Sequence, residues 1–128
     1  MTINNHEFDP QSHLPLSAPV FHILVALAGQ DRHGYSIMQD VAARTDRRIR
    51  LSPGTLYGTI RRLLEDGLIL ETGERPDPEH DDERRRYYRL TPHGHAVAVA
   101  EAARLERVLD QARASGILAP RLASEGER

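Results

Sequence analysis

The sequence contains no cysteine, no tryptophan and no lysine. The absence of cysteine excludes disulfide bonds, a cysteine zinc site and thiol chemistry. The absence of tryptophan removes the largest aromatic platform on which a flat ligand could stack. Every one of the 17 basic residues is therefore arginine, whose planar, bidentate side chain suits phosphate and guanine. The same bias also arises from genome composition, so it carries little weight alone.

Long apolar runs and secretion signals are also missing. No stretch approaches the roughly 20 apolar residues that a membrane-spanning helix needs, and the first residues lack a signal-peptide pattern. A chain of 128 residues is expected to form one domain with a modest core. We therefore expect a soluble, cytoplasmic protein that does not associate with membranes.

Charge is unevenly distributed along the chain. The net charge of −2 does not by itself indicate nucleic-acid binding. Residues 44–62 nevertheless hold six arginines and a single acid, Asp46, and residues 84–89 hold four arginines. Residues 77–83 hold five acids and no arginine. The two basic segments could share one face of the folded domain, as in a nucleic-acid-binding protein.

The most informative segment is LSPGTLYGTIRRLLEDG, residues 51–67. Ser52 predicts a helix N-cap, Pro53 suits the first helical position and Gly67 predicts the end. The apolar residues fall on one face of this helix, namely Leu56, Ile60, Leu63 and Leu64. The opposite face carries small residues, arginines and one acid, namely Gly54, Thr55, Gly58, Arg61, Arg62 and Glu65.

Glycine inside a helix costs roughly 1 kcal/mol relative to alanine, and in return it permits close approach of a large partner to the backbone. A bare stripe flanked by arginine suits the major groove of DNA. The segment therefore predicts a DNA-recognition helix. The alternative is an ordinary surface helix whose N-terminal half has low helix propensity.

The N-terminal part of the chain predicts a flexible arm followed by a helix. Residues 1–15 are polar and lack periodicity, so their histidines and acids are expected to be solvated rather than bound to metal. Residues 17–28 predict a helix that is apolar on all sides except for His22. Either later helices of the same chain or a partner subunit must cover it. Phe21 and Leu24 are predicted to lie in a dimer interface.

A second helix is predicted from Gly34 to Thr45, with Arg44, Arg47 and Arg48 at its C-terminal end. These arginines could complement the helix dipole or contact phosphate beside the recognition helix. Ile49 to Leu51 predicts a short strand.

Two further strands are predicted after the recognition helix. Residues 68–73 form one, and residues 84–91 alternate in character, with Tyr88 and Leu90 facing inward. The two predict a β-hairpin around the acidic residues 77–83.

The last predicted element is a long helix. Thr91 and Pro92 predict its start, and it can extend to about Ala114, roughly 34 Å at 1.5 Å per residue. An apolar stripe in its second half predicts a dimer interface; its members are Leu105, Val108, Leu109 and Ala112. The alternative is a helix that only flanks the domain. Gly116 ends the helix, and residues 116–128 predict a flexible tail.

The order of these elements is that of a winged helix with a C-terminal extension. Four segments resemble the PadR family of bacterial transcriptional regulators: FHILVALAGQ, HGYSI, LSPGTLYGTIRRLLEDGLI and RRRYYRLTPHG. The resemblance covers about residues 16–114. It implies a mainly α fold with a small β-hairpin, in which residues 16–91 form a winged helix-turn-helix and residues 92–115 a single dimerisation helix, as in short-tailed members.

The resemblance implies a homodimeric repressor that binds double-stranded DNA. Separately, the sequence offers no motif for an enzyme, a metal site or a cofactor, so none of these is expected. A small-molecule effector at the dimer centre is a further implication of the resemblance. The third helix would enter the major groove of a palindromic operator. The DNA-binding residues carried over to this sequence are Ser52, Thr55, Tyr57, Gly58, Arg61 and Arg62 in the recognition segment, and Arg84, Arg85 and Arg86 on the wing.

Several alternatives stay open at this point. Acids near phosphate are repulsive, so the acidic tip at residues 77–83 either points away from DNA, weakens the wing as a DNA element, or pairs with the wing's own arginines. A winged helix that binds a protein rather than an operator is a second function class. A metal sensor is disfavoured because His93 and His95 would point about 200° apart on a helix. No glycine-rich phosphate loop or H-E-x-x-H motif indicates an enzyme.

Overall fold

The computed structural model describes residues 7–73 and 86–121. Within these ranges it consists of four α-helices, one short 3-10 helix and a three-stranded antiparallel sheet. The elements in chain order are the 3-10 helix Pro10–His13, α1 Ala18–Ala28, β1 Arg32–His33, α2 Gly34–Arg44, α3 Pro53–Glu65, β2 Ile69–Glu71, β3 Tyr87–Leu90 and α4 Pro92–Ala114. The winged helix-turn-helix fold expected from the sequence is confirmed.

Three helices begin with the caps that the sequence predicts. The hydroxyl oxygens of Ser17, Ser52 and Thr91 each accept a hydrogen bond from the backbone N–H three residues further on. A proline occupies the first turn of each of these helices, where its missing N–H costs nothing. Local sequence chemistry therefore determines where α1, α3 and α4 start.

The sheet has the order β1-β3-β2, so β3 is its central strand. Ile69 of β2 lies opposite Leu90, and Arg32 of β1 lies opposite Tyr88. The prediction of a strand at Ile49–Leu51 is wrong, because the third strand precedes α2 instead. The N–H of Ile49 donates to the Thr45 hydroxyl at 3.0 Å rather than to a strand.

The core lies between α1, α2, α3, the sheet and the first half of α4. Its fully buried apolar residues include Ile23, Leu24, Ile37, Val41, Leu56, Leu68, Ile69 and Val97. Leu24, predicted in the dimer interface, is 0 % exposed within its own chain, and this corrects that prediction. Because α2, α4 and β3 pack on α1, the same chain covers most of this apolar helix. Phe21 stays half-buried.

The N-terminal segment packs on α4 rather than forming a free arm. The Phe8 ring stacks face to face on His93, with ring centroids 3.8 Å apart. Leu14 and Leu16 pack against the core. The prediction of a flexible arm is therefore wrong for residues 7–15, because these apolar side chains have surface to bury. Residues 1–6 lie outside the described part of the chain.

The start of α4 lies close to the backbone of residues 67–68, just before β2. The N–H of Thr91 donates to the Leu68 carbonyl at 3.1 Å, and the Thr91 hydroxyl donates to the Gly67 carbonyl at 2.7 Å. A Cβ at Gly94 would overlap the Leu68 carbonyl oxygen and lie 2.8 Å from Cδ1 of Leu90. Only glycine permits this close approach without displacement, so the position of α4 depends on Gly94.

Beyond Glu101, no residue of α4 is fully buried. Among the described helices, none is long and apolar enough to cross a lipid bilayer.

Candidate nucleic-acid interface

Helix α3 presents an open strip on the side away from the core. Leu56, Ile60 and Leu63 point inward and are buried. A Cβ built at Gly54 or at Gly58 would meet nothing within 4 Å. These glycines are therefore not required by packing within the described chain, although each costs helix stability. They leave the backbone of α3 accessible to a partner.

Hydroxyl and guanidinium groups border this strip. The Ser52 hydroxyl accepts from the Thr55 N–H at 3.2 Å and donates to the Thr55 hydroxyl at 3.1 Å. Arg61 and Arg62 are exposed two turns further on, and neither forms an ion pair with any carboxylate that the structure describes. Five of the predicted site residues thus lie on one surface: Ser52, Thr55, Gly58, Arg61 and Arg62.

Tyr57 differs from its neighbours because it packs against another helix. A Cβ at Gly34 would overlap the Tyr57 hydroxyl oxygen and lie 2.7 Å from Cζ. Gly34, the first residue of α2, is therefore covered by the Tyr57 ring, which is half-buried against the core. This contact gives Tyr57 a packing role at the junction of α2 and α3, whatever its role toward DNA.

The wing is only partly described. Arg86 Nε lies 3.3 Å from Glu71 Oε2, across the strand pair. Its charge is therefore already compensated in the free protein, although the sequence predicted that it contacts DNA. Arg84, Arg85 and the acidic residues 77–83 lie outside the described residues, so the predictions made for them stay untested.

Tyr35 is an exposed aromatic residue near the start of α2 that the sequence reading missed. Its side chain is 59 % exposed, although it is large and apolar. The buried positions Ile37 and Val41 define the inner stripe of the helix, and Tyr35 lies two residues before it begins, about 200° around the helix. A helical projection from these two residues would have shown the outward position.

Glu101 is a buried charge in α4, only 2 % exposed. Arg104 donates two hydrogen bonds to its carboxylate, at 2.9 and 2.7 Å, and the Leu16 N–H donates a third at 3.4 Å. The hydrogen bonds from Arg104 lower the pKa of the Glu101 carboxyl despite its burial, which acts in the opposite direction. Through the bond from Leu16, the Glu101 carboxylate connects the N-terminal segment to α4. Within the described residues, no group of three or more possible ligands could hold a metal ion.

The second half of α4 keeps an apolar surface that no described residue buries. Val108 is 46 % and Leu109 is 45 % exposed. Leu105 and Ala112, of the same stripe, are half-buried. Exposed apolar stripes on one side of a helix are typical of interaction surfaces.

These features define the class of the protein: a winged helix-turn-helix whose third helix is open, glycine-rich and flanked by arginine. The model of the transcriptional regulator PadR-like family matches residues 23–100. The transcriptional regulator Rv3488 of Mycobacterium tuberculosis is 36 % identical over 87 residues, which cover 68 % of this chain and 75 % of that protein. The chain therefore belongs to the PadR-like family of transcriptional regulators.

Two solved structures are similar to this chain. A transcriptional regulator from Clostridium thermocellum has a TM-score of 0.59 at 27 % identity, with 79 % of this chain and 93 % of that chain covered. A PadR family transcription regulator from Clostridium difficile has a TM-score of 0.62 at 22 % identity, over 76 % of this chain and 96 % of that chain. The second likeness concerns the fold alone.

Proposed function

We propose that the protein is a cytoplasmic repressor that binds a palindromic DNA operator as a homodimer. The observation that carries this proposal is the open strip on α3. Two glycines there have no packing partner within 4 Å of a built Cβ, and two arginines without a described ion pair lie on the same helix. A helix with this surface fits the major groove closely and offers bidentate donors to guanine or phosphate.

The residues on α3 would have different tasks in this complex. Arg61 and Arg62 are the candidates for base or phosphate contacts, and a bidentate arginine–guanine pair gives about 1–3 kcal/mol of discrimination. Ser52 and Thr55 lie at the first turn of α3, where hydroxyl groups would hold phosphate. Gly58 would let the backbone approach the base edges. Tyr57 supports this surface through its contact with Gly34.

A second copy of the chain is the proposed partner of the stripe on α4. Val108 and Leu109 are exposed there, beyond the part of α4 that packs on the domain. Pairing these stripes would place two copies of α3 about a two-fold axis, so that they read half-sites about one DNA turn (~34 Å) apart. An effector that binds at the dimer centre and changes this spacing would release the operator, because it would favour a different dimer state.

The test is binding to a duplex from the promoter upstream of the protein's own gene, with competitor DNA present. Replacing Arg61 and Arg62 by alanine should lower the affinity at least about 30-fold if each loses about 1–3 kcal/mol. The matched control is Arg107→Ala, which removes an exposed arginine of α4 that has no ion pair in the described chain. Its helical position is opposite the apolar stripe, so it should change neither dimerisation nor binding.

Equal affinity of the double variant and the control for the operator would refute the assignment of α3 as the recognition helix. Wild-type binding that is weak, independent of salt and abolished by competitor would instead favour the alternative function, a winged helix that binds a protein. Phosphate contacts require a steep loss of affinity with salt, so the salt dependence separates the two functions.

A further inference from the structure

The arginines of the described chain divide sharply into paired and unpaired groups. Six form ion pairs with carboxylates: Arg32, Arg44, Arg86, Arg89, Arg104 and Arg113. Those without a carboxylate partner among the described residues are Arg47, Arg48, Arg50, Arg61 and Arg62, together with Arg107 and Arg121. Five of these seven lie within 16 consecutive positions. Three of the five precede α3, in residues 46–50, which we name the basic turn.

The backbone of the basic turn differs from the other helix ends of this protein. Helices α2, α3 and α4 all end in the same hydrogen-bond pattern, in which the second residue after the cap bonds back to the third-last residue of the helix. The residue in the left-handed conformation is Gly67 after α3 and Gly116 after α4. After α2 it is Asp46, with φ of 53°, and Arg47 follows with φ of 64°.

Two consecutive non-glycine residues in this conformation are unfavourable, and such strain concentrates at functional sites. The surrounding hydrogen bonds hold it in place. The N–H of Arg47 donates to the Ala42 carbonyl at 2.7 Å, and the Thr45 hydroxyl donates to the Val41 carbonyl at 2.9 Å. The backbone is thereby fixed, and the exposed side chains of Arg47, Arg48 and Arg50 extend from a rigid base.

The described arginines of the wing side are in the opposite situation. Arg86 pairs with Glu71, and Arg89 makes two hydrogen bonds to Asp31, at 3.1 and 2.9 Å. Each would have to give up a carboxylate before it could bind phosphate. The arginines of the basic turn need no such exchange, because no carboxylate of the described chain holds them.

We propose that the basic turn is a phosphate-binding surface that positions α3 on DNA without reading its sequence. The inference rests on the proposed function, since it extends the same DNA-binding face. Only Leu51 and Ser52 separate the turn from Pro53, the first residue of α3, so phosphate bound there would lie at the edge of the groove that α3 enters. The backbone N–H groups of residues 46–49 bond within the protein, and the contacts are therefore made by the guanidinium groups.

The experiment compares single variants on two duplexes, one with the operator and one with a scrambled sequence, at several salt concentrations. Arg48→Ala and Arg50→Ala remove one guanidinium each, and Arg47→Asn does so while keeping a residue that tolerates positive φ. Each phosphate contact steepens the fall of log affinity with log salt by about 0.9. Each variant should therefore make this slope shallower by about 0.9 per protomer. At 0.1 M salt this corresponds to an affinity loss of about 8-fold per contact, on both duplexes alike.

Two further variants separate charge from structure. Arg48→Lys should restore most of the slope, because lysine binds phosphate as a point charge. Asp46→Asn keeps a residue suited to positive φ and removes the one acid of the turn, so it should tighten binding to both duplexes. Arg107→Ala serves as the control and should leave the slope unchanged. Circular dichroism and sedimentation would verify that each variant keeps its fold and assembly.

The outcomes distinguish this inference from the proposed function. If alanine at Arg61 and Arg62 abolishes operator binding while all three turn variants keep the wild-type slope, the basic turn does not bind phosphate and the inference is overturned alone. A loss confined to the operator duplex also overturns it, since that pattern indicates base reading. If the wild type binds neither duplex at low salt, the proposed function fails and the inference fails with it.

Discussion

Gly58→Ala should raise the stability of the free protein and lower its affinity for DNA. A Cβ at this position meets nothing within 4 Å, so the substitution has no steric cost in the described chain. Alanine in a helix interior is favoured over glycine by about 0.8–1 kcal/mol. For a domain of this size that gain corresponds to a rise in Tm of about 3–6 °C. Thermal unfolding followed by circular dichroism measures it.

The same methyl group should weaken operator binding, because it occupies the space through which the backbone of α3 approaches the base edges. We expect at least a tenfold loss, or about 1.4 kcal/mol. Gly29→Ala is the matched control, since its Cβ also meets nothing within 4 Å and it lies after α1, away from α3. A Gly58→Ala protein that is stabilised yet binds the operator as tightly as the wild type would refute the assignment of this strip to DNA.

Three further predictions concern the fold and the assembly. Gly94→Ala should lower the free energy of unfolding by about 1–3 kcal/mol through overlap with the Leu68 carbonyl; a urea titration showing unchanged stability would contradict that contact. Glu101→Gln should cost about 1–3 kcal/mol at pH 7 by weakening its bonds to Arg104. Because the pKa of Glu101 is lowered, its contribution is complete above the usual value of about 4.3 and is lost as pH falls through the lowered pKa, so wild type and variant should converge in acid. Leu109→Asp should give a folded monomer in sedimentation experiments, and a dimer that persists would exclude the α4 stripe as the interface.

Features set by local chemistry could be predicted from the sequence. Ser52, Pro53 and Gly67 fix the limits of α3 through a cap, a preset φ and a left-handed residue, and each of these acts within a few residues. The inward positions of α3 follow from its period. The open strip on α3 follows from the same period, because residue type and helical spacing are enough to identify a face without large side chains.

Features that depend on distant contacts could not be predicted. The strand β1 has two residues and exists only because β3, more than 50 residues later, pairs with it. The stack of Phe8 on His93 likewise joins segments 85 residues apart. Ile49 and Leu51 alternate with Arg50 as a strand would, but both are instead partly buried against the core. Sequence periodicity does not reveal which partner a short apolar segment finds.

The ion pairs between arginines and carboxylates could not be predicted from the sequence for the same reason. Glu71 and Asp31 are unremarkable in the sequence, yet they engage Arg86 and Arg89 across the sheet. In the sequence, the wing and the turn before α3 are both rich in arginine and could not be distinguished as phosphate-binding segments. Only the three-dimensional arrangement shows which basic side chains are already compensated.

The central position of β3 would limit how the protein adapts to different DNA shapes in the proposed complex. One edge of β3 pairs with β2 of the wing, and the other pairs with β1, which leads directly into α2. The described part of the wing therefore cannot swing independently of the helix-turn-helix, because a hinge between them would break hydrogen bonds of the sheet. In the proposed complex each protomer would therefore contact DNA as one rigid block, and adjustment to the length or curvature of an operator would have to come from the angle between the two protomers.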